Sequence, residues 1–152
     1  MNNIFNEDFQ DFLKSFNKNG VKYILVGGYS VIVHGYSRTT GDMDLWVEKS
    51  KENYNKIVHA FYNFGMSLFD MNEENFLENN LDVFTFGRDP VRIDILTELK
   101  GVKFSNAFAN SEIHLLDEIP VRVIHFKDLI QSKKAAGRHK DLDDIEQLEA
   151  NN

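Results

Sequence analysis

Three aspartates stand where chemistry is the first thing to look for. Asp42 and Asp44 lie two residues apart in GDMDLWV, a stretch that reads as the start of a strand. Alternate residues of a strand point the same way, so both carboxylates project together. Like charges held that close repel, and the arrangement is costly unless a cation or hydrogen-bond donors offset it. Asp94 stands alone inside VRIDIL, where Ile93 and Ile95 face one way and Arg92, Asp94 and Leu96 the other. A charge in the middle of an apolar strand needs a partner. If this strand lies beside the one bearing Asp42 and Asp44, the three carboxylates form one cluster of oxygen donors. Such a cluster suits Mg2+, a hard ion that takes one or two protein carboxylates and completes its shell with water and substrate phosphates. Three carboxylates can hold two such ions, ~3.5–4 Å apart.

A second feature lies upstream. Gly27-Gly28 breaks the apolar run Tyr23–Val26 and leads into YSVIVH, which is expected to be a helix ended by Gly35. Paired glycines let the backbone turn tightly and approach a ligand closely, and the following helix offers free N–H groups to an anion. Ser30, in the first turn, is placed to reach a phosphate as well. A lone GG is also an ordinary strand-to-helix turn, and a lone D-x-D is an ordinary solvated strand entrance. The pattern matches neither the Walker motif nor G-x-G-x-x-G. It is the order and spacing of the two, together with Asp94, that make one candidate site: a phosphate cradle beside a metal.

These residues need elements to hold them. Phe9, Phe12, Leu13 and Phe16 mark one face of a helix over residues 6–19, with Asn6 as cap and Asn19-Gly20 as stop. The aromatic stripe is read as packing on a sheet rather than as a base-stacking surface. Strands are expected at Tyr23–Val26 and Met43–Glu48, with the polar loop Ser37–Gly41 before the second. An amphipathic helix follows over Ser50–Gly65, with Tyr54, Ile57, Val58, Phe61 and Phe64 as its face. The acidic, Asn-rich stretch Asn72–Asn80 is expected to be partly helical and exposed. Leu81–Phe86 and Val91–Leu96 form a hairpin across Gly87-Arg88-Asp89-Pro90, and residues 101–110 carry no assignment. Glu112–Leu116 and Pro120–Ile124 make a second hairpin across Asp117-Glu118. Helices Phe126–Ala136 and Asp141–Leu148 close the chain, the last with Leu142, Ile145 and Leu148 on its apolar side. The order predicts an α/β (α+β) domain with a mixed sheet.

At 152 residues the sequence is one domain by length, 1–152, and long enough to build a core. Its formal charge of −7 disfavours duplex DNA as a partner. It has no cysteine, so disulfides and thiolate metal or redox chemistry are excluded, and a reducing compartment fits. No apolar run approaches the ~20 residues of a membrane span, and the first residues do not read as a signal peptide. A soluble, cytoplasmic protein without membrane contact is expected. The five histidines are scattered and show no ligand spacing.

Val26-Gly27-Gly28, a spacer of thirteen residues, Asp42-Met43-Asp44-Leu45 and the later Ile93-Asp94-Ile95 together resemble the nucleotidyltransferase superfamily with the polymerase-β-like palm. The expected strand order agrees over a palm core of about 20–97. The approach His34-Gly35, Arg38, Thr40, Asp42, and the run from Lys133 through Arg138, Lys140 and Asp141 to Ile145, look like the small prokaryotic branch. That branch includes lincosamide-type antibiotic adenylyltransferases and toxin–antitoxin nucleotidyltransferases. The resemblance implies a nucleotidyltransferase-type mixed β-sheet flanked by helices, with a C-terminal hairpin and helices over about 111–149. It implies transfer of a nucleoside monophosphate from an NTP, ATP first among them, to an acceptor hydroxyl, with pyrophosphate leaving. Asp42 and Asp44 would hold the metal on the triphosphate, Mg2+ or Mn2+. Asp94 would hold a second and ease deprotonation of the acceptor. Gly27, Gly28 and Ser30 would bind the terminal phosphates.

Three cations remain open between two roles each. Arg38 can touch phosphate or pair with an acid. Lys133, on the packed side of its helix, and Lys140 can contact the nucleotide or form a basic patch at a helix end. Asp141 and Asp144 are read as a helix cap and a salt-bridge partner rather than as metal ligands. The acceptor is a small molecule, an RNA end or a protein side chain; the short stretch after residue 97 favours a small one, or a groove completed by a homodimer or partner protein. The alternative is an interaction module of toxin–antitoxin type, or a nucleotide binder without transfer activity; an exposed apolar patch from Phe76, Phe104 and Phe108 would mark the interaction module.

Overall fold

In the computed structural model, residues 3–78 and 81–152 are described. The chain runs α1 (Glu7–Lys18), β1 (Tyr23–Val26), α2 (Gly27–Val33), β2 (Asp42–Val47), α3 (Lys51–Phe64), α4 (Glu73–Leu77), β3 (Val83–Arg88), β4 (Val91–Leu96), α5 (Phe104–Asn110), β5 (Glu112–Leu116), β6 (Ile119–Val123), α6 (Phe126–Ala136) and α7 (His139–Ala150). The strands form one mixed sheet in the order β3-β4-β2-β1-β6-β5. β2 pairs antiparallel with β1 and parallel with β4, so the two aspartate-bearing strands are neighbours.

Period-two alternation divides the sheet into two apolar faces. Leu25, Met43, Leu45, Val47, Ile93 and Ile95 point to one side, against α1 and α3. Phe9, Phe12, Leu13 and Phe16 of α1 have no exposed surface there. Full burial of each such side chain is worth about 1.5–3 kcal/mol, which is what fixes α1 on the sheet. Ile24, Val26 and Trp46 point to the other side, against Leu129 and Ile130 of α6 and Ile145 and Leu148 of α7. Asp44 shares that second face with Trp46, because the two are i and i+2 on the strand. The catalytic candidates therefore look toward the C-terminal helices.

The ends of the elements follow the expected caps. Asn6 accepts the Phe9 N–H at 2.8 Å, Ser50 accepts that of Asn53 at 3.1 Å, and Gly65 adopts φ +88 beyond α3. The β5–β6 hairpin turns through Asp117 and Glu118, both at positive φ, a primed turn whose twist matches the strands. The Asp117 carboxylate then accepts the N–H groups of Ile4 and Phe5, each at 2.8 Å, and ties the start of the chain to this hairpin.

Several boundaries differ from the sequence reading. β3 continues through Gly87 to Arg88, so the hairpin turn is Asp89-Pro90 alone. Residues 104–110 form α5, which packs Phe104 edge-on against Trp46. It has no side-chain cap and buries little but Ala107, which is why the sequence hides it. α4 begins on an Asn72 cap and ends at Leu77; the Asn79 and Asn80 part of the expected acidic stretch lies outside the described residues. α7 starts two residues early, at His139, and Leu142 is 52% exposed. Its buried stripe is Asp141, Asp144, Ile145 and Leu148, so two aspartates take the positions expected for apolar residues. Phe76 is fully buried, and Phe104 and Phe108 pack against the second core, so these three make no exposed patch. Among the described residues no helix is long and apolar enough to cross a membrane.

Candidate functional site

Parallel pairing of β2 with β4 sets Asp44 directly opposite Asp94, and Asp42 opposite Arg92. All four side chains stand on one face of the sheet. Arg92 lies among the acids. Its Nε donates to Asp94 Oδ1 at 3.2 Å, its Nη2 to Asp94 Oδ2 at 3.3 Å, and its Nε is 3.6 Å from Asp42 Oδ2. One guanidinium thus serves two carboxylates, Asp94 and Asp42.

Asp44 carries the imbalance. Burial, then the charges of Asp94 and Asp42 and a hydrogen bond with Asp94, push its carboxyl up to about 7, with only Lys140 among the named groups pulling the other way. A carboxyl that holds its proton near neutrality marks a place short of positive charge. Among the described residues, no three His, Cys, Asp or Glu side chains are already arranged as a metal-binding group. The donor set nevertheless fits a hard divalent ion: carboxylate oxygens only, converging from paired strands, with more negative charge than Arg92 offsets. Asp42, Asp44 and Asp94 are the residues that would hold it.

The glycine turn abuts this cluster. Gly27 has φ +69, and a Cβ there would overlap the Asp44 carboxylate. A Cβ on Gly28 would overlap the Thr40 side chain. The first glycine is needed for both conformation and space, the second for space alone. Ser30 is fully buried, and its hydroxyl donates to the Gly27 carbonyl at 2.7 Å. It braces the turn from within and is not turned toward open space.

The remaining cations gather in a second cluster on the C-terminal helices. Lys133 Nζ lies 2.9 Å from Asp144 Oδ2 and 3.5 Å from Asp141 Oδ1, with its side chain 9% exposed. Arg38 Nη2 donates to Asp144 Oδ2 at 3.2 Å; its buried Nε is also 3.2 Å from Oδ1, but off hydrogen-bond alignment. Arg138 grips Asp141 with Nε at 2.6 Å and Nη2 at 3.1 Å, and its backbone N–H adds a third bond at 3.2 Å. Burial works against a charged Asp141, but the Arg138 bonds and the Lys133 charge outweigh it and hold the carboxyl below the usual range. Asp141 and Asp144 are the cap and ion-pair partner that the sequence reading expected, Lys133 points inward as expected, and Arg38 pairs with an acid. Lys140 is exposed in the first turn of α7.

A cleft of about 140 Å³ joins the two clusters, lined among others by Gly27, Asp44, Leu96, Leu129, Lys133 and Arg138. Arg92, Thr40 and Arg138 were given no role in the sequence, although Thr40 and Arg138 stand in the motifs that carry the resemblance. For Arg92 the signal was present: it precedes Asp94 by two residues on the same strand face. Thr40 and Arg138 act through tertiary proximity and through a cap, and spacing alone does not report either.

Solved structures of other proteins share this fold. The solved structure of the lincosamide antibiotic adenylyltransferase LnuA, lincomycin-bound, superimposes with a TM-score of 0.59 at 13% identity, over 99% of this chain and 100% of that one. The Thermotoga maritima protein TM1012 gives 0.57 at 10% identity, over 95% and 91% of the two chains. The antibiotic-resistance factor ANT(2'')-Ia gives 0.57 at 12% identity, over 93% and 80%. At these identities the likeness is one of fold. Comparison with curated proteins gives no match. The family model described as "Nucleotidyltransferase of unknown function (DUF6036)" matches residues 5–151. The chain belongs to this nucleotidyltransferase family.

Proposed function

We propose that this protein is a divalent-metal-dependent enzyme that moves a nucleoside monophosphate from an NTP, ATP foremost, to a hydroxyl of a small acceptor molecule. The acceptor oxygen bonds to the α-phosphorus, the bond to pyrophosphate breaks, and the hydroxyl proton leaves. The reading rests on one observation above others: Asp94 stands opposite Asp44 in parallel register, beside Asp42, with the glycine turn packed on the same carboxylate.

Mg2+ or Mn2+, when bound, supplies the positive charge that draws the triphosphate to the acids and offsets the charge on the leaving pyrophosphate. Asp42 and Asp44 would hold the ion on the nucleotide side. Asp94 would hold the ion on the acceptor side and would help to take up the hydroxyl proton. Gly27 and Gly28 let the backbone come close to the β- and γ-phosphates, while Ser30 keeps the turn in shape. Lys140, exposed on the same side as Asp44, is the cation best placed to meet phosphate. Lys133 and Arg38 serve the nucleotide indirectly, by holding the walls of the cleft in place through Asp144.

A small acceptor is favoured because the likeness to lincomycin-bound LnuA covers 99% of this chain and 100% of that one. A net charge of −7 suits an acceptor carrying a positive charge. No other reading has a specific observation in its favour, since Phe76 is buried and Phe104 and Phe108 are partly buried against the second core rather than forming an exposed patch. The cytoplasm, where NTPs and a reducing milieu are found, is the proposed compartment.

The test is incubation of the protein with each α-labelled NTP, Mg2+ and a pool of hydroxyl-bearing small molecules, followed by chromatography of the label. A labelled product in wild type that disappears in Asp94→Ala is expected, with NTP binding kept in that variant. Retention of transfer by Asp94→Ala would remove it from the reaction.

A further inference from the structure

Arg92 is more than a neighbour of the acid cluster. Its place is set by the sheet: it faces Asp42 across the β2–β4 pair and precedes Asp94 by two residues on the same face. Its guanidinium binds both oxygens of Asp94, at 3.2 and 3.3 Å, and reaches Asp42 Oδ2 at 3.6 Å. An ion shared by the same two carboxylates would have to compete with it for those oxygens. We infer that Arg92 is the resident counter-cation of the metal-free enzyme, and that it competes with the divalent ion for Asp42 and Asp94. The inference rests on the proposed metal-binding role of these aspartates.

Three physical points support it. Arginine stays protonated and has no acceptor atom, so it cannot join the ion as a ligand and can only exclude it. Two positive centres a few ångströms apart repel, so entry of the ion pushes the guanidinium away. The side chain of Arg92 is 42% exposed, against 9% for Lys133 in the second cluster. Ion pairs that open to water are weak and easily exchanged, so Arg92 can leave where Lys133 cannot.

The experiment is calorimetric titration of wild type, Arg92→Gln and Asp44→Asn with MnCl2 at low salt and without nucleotide. Arg92→Gln is expected to bind Mn2+ roughly 3- to 10-fold more tightly than wild type, the scale of a partly exposed ion pair. Asp44→Asn is expected to lose binding. In parallel, the Arg92 Nε–Hε signal of 15N-labelled wild type, assigned by its loss in Arg92→Gln, should shift as Mg2+ saturates. Equal or weaker Mn2+ affinity in Arg92→Gln, with binding lost in Asp44→Asn, overturns the inference and leaves the metal site standing. Absence of metal binding in wild type and Arg92→Gln alike overturns the metal reading and this inference with it. Should Arg92→Gln fail to fold, the wild-type spectrum decides: an Arg92 signal that stays put at Mg2+ saturation overturns the competition.

Discussion

Asp44 and Asp141 border the same cleft, and their carboxyls are pushed in opposite directions. Asp141 is only 1% exposed, yet it is held below the ordinary carboxylate range. Asp44 retains more exposure, yet it is raised to about 7. The difference is the supply of cations. Asp141 and Asp144 share Lys133, Arg38 and Arg138, three positive charges for two negative ones. In the other cluster Asp42 and Asp94 share Arg92, and that one cation stands among three carboxylates. The first cluster is closed and joins the loop before β2 to α6 and α7. The second is left with charge to offer a ligand. Two acidic clusters of one chain are thus told apart by their stoichiometry.

The widest gap between the clusters should appear in catalysis. Asp44→Asn and Asp94→Ala are each expected to lower nucleotide transfer by about 10³-fold or more, the scale seen when a group stabilising transition-state charge is removed. Asp141→Asn, assayed at a temperature where it is folded, should retain transfer to within about tenfold. Pyrophosphate release measured on the three variants checks this. A loss in Asp141→Asn as deep as in Asp44→Asn would break the division, and would place the second cluster in the reaction.

Stability should show the reverse. Asp144→Ala leaves the buried Lys133 ammonium without its 2.9 Å partner and frees Arg38 as well. Breaking a buried pair from one side typically costs about 3–5 kcal/mol, because the remaining charge stays desolvated. Urea unfolding of Asp144→Ala should fall by an amount in that range. Asp42→Asn, which removes one of several acids around a half-exposed guanidinium, should stay within about 1 kcal/mol of wild type. A loss below 1 kcal/mol in Asp144→Ala would mean that water reaches Lys133 and that the second cluster is not closed.

The open cluster was legible in the sequence and the closed one largely was not, for a physical reason. Asp42, Asp44 and Asp94 interrupt apolar strands, and a period of two fixes which way each points. The charge is out of place locally, so local pattern reports it. The sequence also gave notice of the caps at Asn6, Ser50 and Gly65, since these depend on neighbours within a few residues. Arg38, Lys133 and Asp144 look ordinary in their own segments; only the packing of α6 and α7 against the loop before β2 makes them a joint. The same cause hid the true face of α7. Its stripe begins with Asp141 and Asp144, so a search for apolar periodicity chose Leu142 in their place. Ser30 shows the limit from the other side: its position in the glycine turn was correct, but the Gly27 carbonyl takes its hydroxyl, and spacing cannot reveal that.

The smallest effect should be a change in how stability responds to pH, and it tests the imbalance itself. In the unfolded chain Asp44 ionises near 3.8; in the metal-free folded protein it holds its proton up to about 7. Between those values the native state binds a proton that the unfolded state lacks, so stability falls as pH rises through this window. The penalty is complete above about pH 7 and fades as pH falls toward 4. Asn at this position carries no charge to desolvate, so Asp44→Asn removes the slope. The stability of Asp44→Asn relative to metal-free wild type should therefore be greater at pH 8 than at pH 5. The difference should be about 1–2 kcal/mol once partial solvation and the shared titration with Asp94 are allowed for, or a few degrees in Tm for a chain of this size. Other carboxylates titrate in the same range but are common to both proteins and largely cancel. Added Mg2+ should raise wild type toward the variant at pH 8, because an ion on the cluster stabilises the charged carboxylate. Melting curves at the two pH values, with and without Mg2+, measure all of this. A difference that ignores pH would mean that Asp44 ionises normally, and that Arg92 and Lys140 already balance the open cluster.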